Sequence, residues 1–173
     1  MTKKIMFSDD YCLTKAVLDG TKTMTRRLLK DGTPLGNWEE TVKHLPYKVG
    51  EVVAIAQSYY TIGKPQYDKF GNGVPGNSNK MFVRAELMPH HIKITDVKVE
   101  RLQSISDEDI LKEGVWQYPK LRAYHVSKAT GFAPDVAFLT AREAFAYLID
   151  RISGKGTWKS NPWVVAYSFE LVD

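Results

Sequence analysis

Trp163, Val165, Tyr167, Phe169 and Leu171 recur at every second position, a period that a half-buried β-strand satisfies and a helix does not. A strand of that length needs partners. The run from Ile92 to Leu102 offers one, with Ile92 and Ile94 on one face and Val97 and Val99 on the other. The phase therefore slips near Asp96, which predicts a bulge or bend there. A third run, Val52-Val53-Ala54-Ile55-Ala56, is apolar on both faces and suits a central strand.

The remaining segments are read from their punctuation. Residues 3–8 read as a short strand entering a helix capped by Ser8, with Leu13 and Val17 at helical spacing and Gly20 as the stop. Lys22 to Leu28 is β-branched and basic, hence a strand or extended turn, and 30–49, rich in Gly and Pro, reads as a loop. Residues 62–80 form a long Gly-, Pro- and Asn-rich loop that reads as either a lid or a disordered excursion, after which Met81 to Ala85 resumes as strand. Ser106 with Asp109 resembles a capping box, Ile105 and Ile110 occupy hydrophobic-staple positions, and Gly114 supplies the stop. Thr140 with Glu143 repeats the box ahead of Phe145, Leu148, Ile149 and Ile152 on one helical face. Residues 115–137 read as an ordered, aromatic-rich insertion. Strands and helices mix without regular alternation, so the expected class is α+β, a strongly twisted or barrel-like sheet with three peripheral helices.

At 173 residues with 43% hydrophobic content, one core and one domain spanning 1–173 are expected. A lone Cys12 cannot form an internal disulfide. No apolar run approaches the ~18–20 residues of a membrane span, and the first ten residues lack a signal-peptide core, so a cytoplasmic protein is expected. The net charge of +4 permits a polyanionic partner but falls short of the dense basic stripe of duplex-DNA binders.

The densest polar cluster is Gly20-Thr21-Lys22-Thr23-Met24-Thr25-Arg26-Arg27, with three threonine hydroxyls, an ammonium and two guanidiniums. Arginine forks suit phosphate or carboxylate. It is not a P-loop, because the preceding glycine-rich segment is missing. Gly20-x-Lys22-Thr23-x-Thr25-x-Arg27 resembles the signature of the ASCH domain, a PUA-like small β-barrel family. The resemblance extends through Gly50-Glu51-Val52-Val53, Ala85-Glu86, Ile94 to Leu102, Ser106-x-x-Asp109 to Glu113-Gly114 and Asn161-Pro162-Trp163-Val164, nearest to the phage-type branch. The chain departs from the pattern at Ala56-Gln57, where Arg then Glu are expected, and at Met88 to His91.

The resemblance implies a module that binds RNA or a nucleoside or nucleotide. More distantly it implies the bacterial acetylcytidine amidohydrolases, whose Lys, Thr and Glu set carries over to Lys22, Thr25 and Glu113. Amide hydrolysis needs a nucleophile, a proton carrier and an oxyanion site, and these three side chains offer them. Strict strand alternation opposes the set, because it sends Lys22 and Thr25 to opposite faces. Arg26 and Arg27 are the phosphate candidates, Tyr59, Trp158 and Trp163 the stacking candidates, and Gln57 and Asn161 complete the ligand-binding set. Adjacent His90 and His91 point oppositely on a strand, so no metal and no cofactor is expected. Glu113 stands at a helix end whose dipole disfavours a carboxylate, so a local stability argument does not explain it.

Overall fold

The computed structural model describes residues 1–120, 122–128 and 136–173. Five strands, β1 (Lys4–Ile5), β2 (Met24–Leu28), β3 (Val52–Ile55), β4 (His91–Arg101) and β8 (Trp163–Leu171), form one sheet in the order β1-β3-β4-β8-β2. Three short strands, β5 (Trp116–Gln117), β6 (Tyr124–Val126) and β7 (Val136–Phe138), form an antiparallel second sheet within the expected insertion. Residues 121 and 129–135 of that insertion lie outside the described residues. The helices are α1 (Leu13–Leu18), α2 (Trp38–His44), α3 (Asp107–Lys112), α4 (Ala141–Ser153) and α5 (Thr157–Ser160). The architecture is a mixed fold of the α+β kind.

The two long strands predicted from alternation, β4 and β8, are the antiparallel pair at the middle of the main sheet, in register from Ile92↔Leu171 to Arg101↔Trp163. Their register shifts between Ile94 and Asp96, where the phase of β4 slips. The N-cap half of each capping box forms: Ser106 Oγ accepts from the Asp109 amide at 3.1 Å and Thr140 Oγ1 from the Glu143 amide at 3.1 Å, while the Asp109 carboxylate turns to Arg26 instead of back to the cap. Ile105 and Ile110 are both buried, as a hydrophobic staple requires.

The sheet does not close into the expected barrel. Its edges, β1 and β2, stay unpaired with each other, and the gap between them is occupied by side chains: Arg27 reaches from β2 to donate to the Met6 carbonyl at 2.5 Å, just beyond β1. Residues 81–86, assigned to the barrel, form 3₁₀ turns at Lys80–Phe82 and Ala85–Leu87 instead of a strand. The reason lies in β3. Its two faces are both buried, Val53 and Ile55 in the main core and Ala54 and Ala56 in a second cluster with Tyr59, Val83, Ala85 and Met88. The small alanines leave room for a turn segment, rather than a strand, to lie against the sheet.

Two helices were hidden in loop-like sequence. In 30–49, Asn37 caps α2 by accepting from the Glu39 and Glu40 amides, with acids in the first turn and Lys43 and His44 in the last. The helix α5 follows Gly156 and ends on Asn161 in the left-handed region. Ser8 is not the cap of α1: its carbonyl accepts from Leu13, and the helix starts after Cys12, itself left-handed at φ 57°.

Gly114 ends α3 at φ 113°, and a Cβ there would lie 2.6 Å from Leu13 Cδ2. Gly114→Ala is therefore expected to destabilise the fold by about 1–3 kcal/mol, the cost of a strained backbone plus a displaced core side chain. Urea unfolding of the variant measures it, and an unchanged midpoint would show that the turn relaxes freely.

Candidate functional site

The loop that leaves α1 decides where Lys22 points. Gly20 turns at φ 78°, the Thr21 and Lys22 amides donate back to the Ala16 carbonyl, and the Thr23 amide donates to the Lys112 carbonyl at the end of α3. Lys22 thus lies ahead of β2 rather than on it, so strand alternation does not govern it. Its ammonium donates to the carbonyls of Met24 and Glu113, both at 2.7 Å, and to Glu113 Oε2 at 3.3 Å. The Glu113 carbonyl is one of the unpaired acceptors at the end of α3, and the cation there meets the negative end of the helix dipole.

Arg26 is turned inward and its side chain is 0% exposed. It donates to Glu113 Oε1 at 2.9 Å, to Glu100 Oε1 at 2.8 and 3.2 Å, and to Asp109 Oδ2 at 3.1 Å. On the sheet it stands opposite Ala166, whose methyl leaves space for the guanidinium to cross β8 toward Glu100 on β4. Burial alone would lower the Arg26 pKa, but the Glu113 and Glu100 carboxylates outweigh it and push it up. Burial would raise Asp109, yet hydrogen bonds from Arg26 and the charge of Lys98 hold its carboxyl below the usual range. At Lys22 burial prevails: it holds the ammonium below the usual lysine range against the pull of Glu113, with Arg27 and Arg26 adding to the depression.

Thr25 and Arg27 alternate to the other side of β2, opposite Tyr167 and Val165. Thr25 Oγ1 accepts from Arg27 Nε at 3.3 Å, and among the described residues its own proton goes to no acceptor. Arg27 lies 5.6 Å from the Phe7 ring centroid, and burial holds its guanidinium below the usual arginine range. Lys22, Thr25, Arg26, Arg27 and Glu113 line one cavity of about 230 Å³. Met6 and Phe7 beyond β1, together with Leu148 and Ile149 of α4, supply apolar walls. The cavity sits in the gap where the sheet fails to close.

The other sequence-derived candidates are elsewhere. Tyr59 is buried, with its hydroxyl accepting from the Arg84 amide at 2.9 Å, and it is Tyr60 that faces solvent. Gln57 is buried beside Met88, and its Oε1 has no hydrogen-bond partner among the described residues. Trp158 is partly buried, edge-on to Phe145 at 5.9 Å between centroids and with the Arg142 guanidinium 5.0 Å over its ring. Asn161 is structural in its polar contacts: its Oδ1 accepts from the Gln103 amide at 2.8 Å. Trp163, half-exposed, stacks under Arg101 at 4.6 Å. Sequence reasoning missed Glu100 and Asp109, which hold Arg26 from 74 and 83 positions away. Among the described residues no group of three or more His, Cys, Asp or Glu is placed to hold a metal ion.

No known family's sequence profile matches the chain, and no curated protein does. Among solved structures, the chain is similar to a DUF984-family protein from Enterococcus faecalis V583, at 15% identity over 100% of this chain and 82% of that one, TM-score 0.47. It is also similar to an ASCH domain from Lactobacillus crispatus JV V101, at 13% identity over 98% and 78% of the two chains, TM-score 0.41. No helix of the described residues is long and apolar enough to cross a membrane.

Removing the Arg26 guanidinium leaves Glu100, Asp109 and Glu113 without their shared cation. Arg26→Ala is expected to cost about 3–5 kcal/mol, whereas a surface arginine would cost little. Chemical denaturation distinguishes the two. Tyr167, fully buried across from Thr25, has its phenol pushed up to about 12 by burial. The unfolded phenol ionises near pH 10 while the folded one stays neutral, so this contribution to stability is complete below pH 10 and is lost as the pH rises toward 12. Tyr47, also raised by burial, acts in the same direction. Tyr167→Phe is expected to flatten the decline in unfolding midpoint between pH 10 and 12. Equal slopes for the two proteins would contradict the burial argument.

Proposed function

We propose that the chain is a single-domain, cytoplasmic binding module of the ASCH, PUA-like type that takes RNA or a modified nucleoside, with the base or its acyl substituent in the cavity between β1 and β2. The observation that carries this reading is the convergence of Lys22, Thr25, Arg27 and Glu113 on one small cavity with apolar walls. A planar, partly polar ring needs that combination: apolar faces above and below, and a few fixed donors and acceptors at its edge. Thr25 Oγ1 has a proton to give, and Arg27 supplies a cation at the rim. Arg26 contributes by holding Glu113 rather than by touching phosphate.

The test is direct titration with cytidine and acetylcytidine by calorimetry. Arg27→Ala is expected to weaken nucleoside or RNA binding about tenfold without loss of fold, because its removal strips a charge-assisted hydrogen bond from the ligand. With Lys22 and Arg26 held internally, Arg27 is the cavity cation left for phosphate, so the cavity's share of the slope of log affinity against log salt for a single strand is expected to be about −0.7. No binding of either nucleoside or RNA would end this reading.

A second reading is favoured by the cavity's membership: Lys22, Thr25 and Glu113 are the residues an amidohydrolase of this type needs. Such an enzyme adds water across the acyl C–N bond of the modified cytidine and releases acetate and the free amine. Thr25 is the group that attacks the carbonyl, Lys22 faces the developing oxyanion, and Glu113 moves the proton. Chromatography of acetylcytidine incubated with the protein decides it. Turnover that Thr25→Val and Lys22→Ala each abolish establishes the enzyme; bound but unconverted acetylcytidine leaves the module.

A further inference from the structure

The excursion over residues 60–84 carries four of the most exposed large side chains of the chain: Phe70 at 76%, Tyr67 at 61%, Tyr60 at 60% and Phe82 at 58%. These rings are not left outside by a loose segment. Asn77 is buried and clamps Gln66 in both directions, its Oδ1 accepting from the Gln66 amide and its Nδ2 donating to the Gln66 carbonyl, each at 2.8 Å. The Asp68 carboxylate accepts from the Phe70 and Asn72 amides at 2.8 and 2.9 Å, and Tyr67 bridges to Gly73. Tyr59 anchors the base, its amide donating to the Gly76 carbonyl and its hydroxyl accepting from Arg84. A rigid, hydrogen-bonded excursion thus presents aromatic rings to water, where each forgoes the free energy of its own burial.

Tyr67, Phe82, Tyr59 and Arg84 line a groove of about 270 Å³. That is just under the ~300–1,000 Å³ of sites for whole small molecules and admits one ring system. The charge around it is complementary to a polyanion. Lys64, Lys69 and Arg84 have no carboxylate partner among the described residues, and Lys69 lies 5.0 Å over the Phe70 ring. The Asp68 carboxylate is taken up by backbone amides, and Lys80 is tied to Asp9 and the Phe7 carbonyl.

The geometry points to a second nucleic-acid surface: the 60–84 excursion is a stacking platform for single-stranded RNA or DNA, with one base seated between Tyr67 and Phe82 and its phosphates on Lys64, Lys69 and Arg84. The exposed rings stand apart along the excursion, mostly among polar, proline and glycine residues, with the exposed Met81 beside Phe82, and this spacing suits splayed bases better than the continuous apolar stripe of a partner helix. This inference rests on the nucleic-acid part of the reading above and extends it to residues outside the cavity.

The experiment follows a fluorescein-labelled oligouridine of about 12 nucleotides by anisotropy. Tyr67→Ala with Phe82→Ala is expected to weaken binding about tenfold or more, while Tyr67→Phe keeps it near the native value, because stacking needs the ring and not the hydroxyl. Both side chains are exposed, so an unchanged melting temperature confirms that the fold is intact. Native-strength binding by the double variant overturns the proposal, as does displacement of the strand by polyglutamate at equal charge. Cytidine binding at the cavity, titrated in parallel, stays unchanged in the double variant. A failed cavity reading therefore appears as absent nucleoside binding and leaves the strand result standing.

Discussion

The guanidinium of Arg26, sealed from water and shared by Glu100, Asp109 and Glu113, is the interaction on which the arrangement of β2, β4 and α3 depends. Three carboxylates cannot be brought together without cations, and the structure provides Arg26 and Lys22 from inside and Lys98 from the surface, 3.4 Å from Asp109. At the rim Lys112 adds a further cation, 3.9 Å from Asp109 and 3.4 Å from Glu108. Burying such a network yields less stability than an apolar core of the same volume would, since each ion gives up several kcal/mol of hydration. What the network does fix is geometry: α3 can dock in only one register on the sheet, and that register sets Glu113 beside the loop bearing Lys22.

One consequence reaches the surface. A sequence with Lys22, Arg26 and Arg27 in six positions reads as a phosphate-binding patch, yet two of the three cations are spent internally and Arg27 is half-buried against Phe7. The cavity accordingly has little free positive charge to offer a run of phosphates. Any longer polyanion must find its charge elsewhere on the molecule, and the unpaired cations of the 60–84 excursion are the concentration of charge that lies beside exposed aromatic rings.

The central strands were legible from their period of two, which β4 keeps as one wet and one dry face, and even the slip at Asp96 survives as a register shift. In β8 the period marked the strand but not its exposure: Val164 to Tyr167 are buried on both faces, because β4 and β2 flank the strand and the Arg26 network covers the side that the pattern leaves wet, while Trp163 and Leu171 at its ends are exposed. The helices α3 and α4 were legible from caps, which are local chemistry. What could not be read was set by distant partners. Met81 to Ala85 has strand composition, but Ala54 and Ala56, some 27 residues earlier, offer a shallow surface on which 3₁₀ turns fit. The Asn37 cap of α2 was obscured by the surrounding glycines and prolines. At the site, Lys22, Thr25 and Glu113 came from family resemblance. Periodicity argued against them, because it treated Lys22 as a strand residue. Nothing local in the sequence shows that Arg26 points inward, since its carboxylates lie 74 to 87 positions away.

The internal bookkeeping of the cavity also bears on binding versus catalysis. All three protons of the Lys22 ammonium are given to protein oxygens, and both oxygens of Glu113 accept from cations. A carboxylate so held takes a proton only by releasing one of its donors, and an ammonium so held reaches an oxyanion only by releasing one of its acceptors. The longest of these bonds, 3.3 Å to Glu113 Oε2, is the one whose release would cost least. Breaking it frees a proton of Lys22 and an oxygen of Glu113 at the same moment, on the wall that Thr25 shares. A ligand carbonyl entering there would replace the lost acceptor, and an amine proton the lost donor. The same exchange serves tight recognition of an amide and the first step of its cleavage, and what separates them is whether the Thr25 oxygen lies in line with the carbonyl carbon once the ligand is bound.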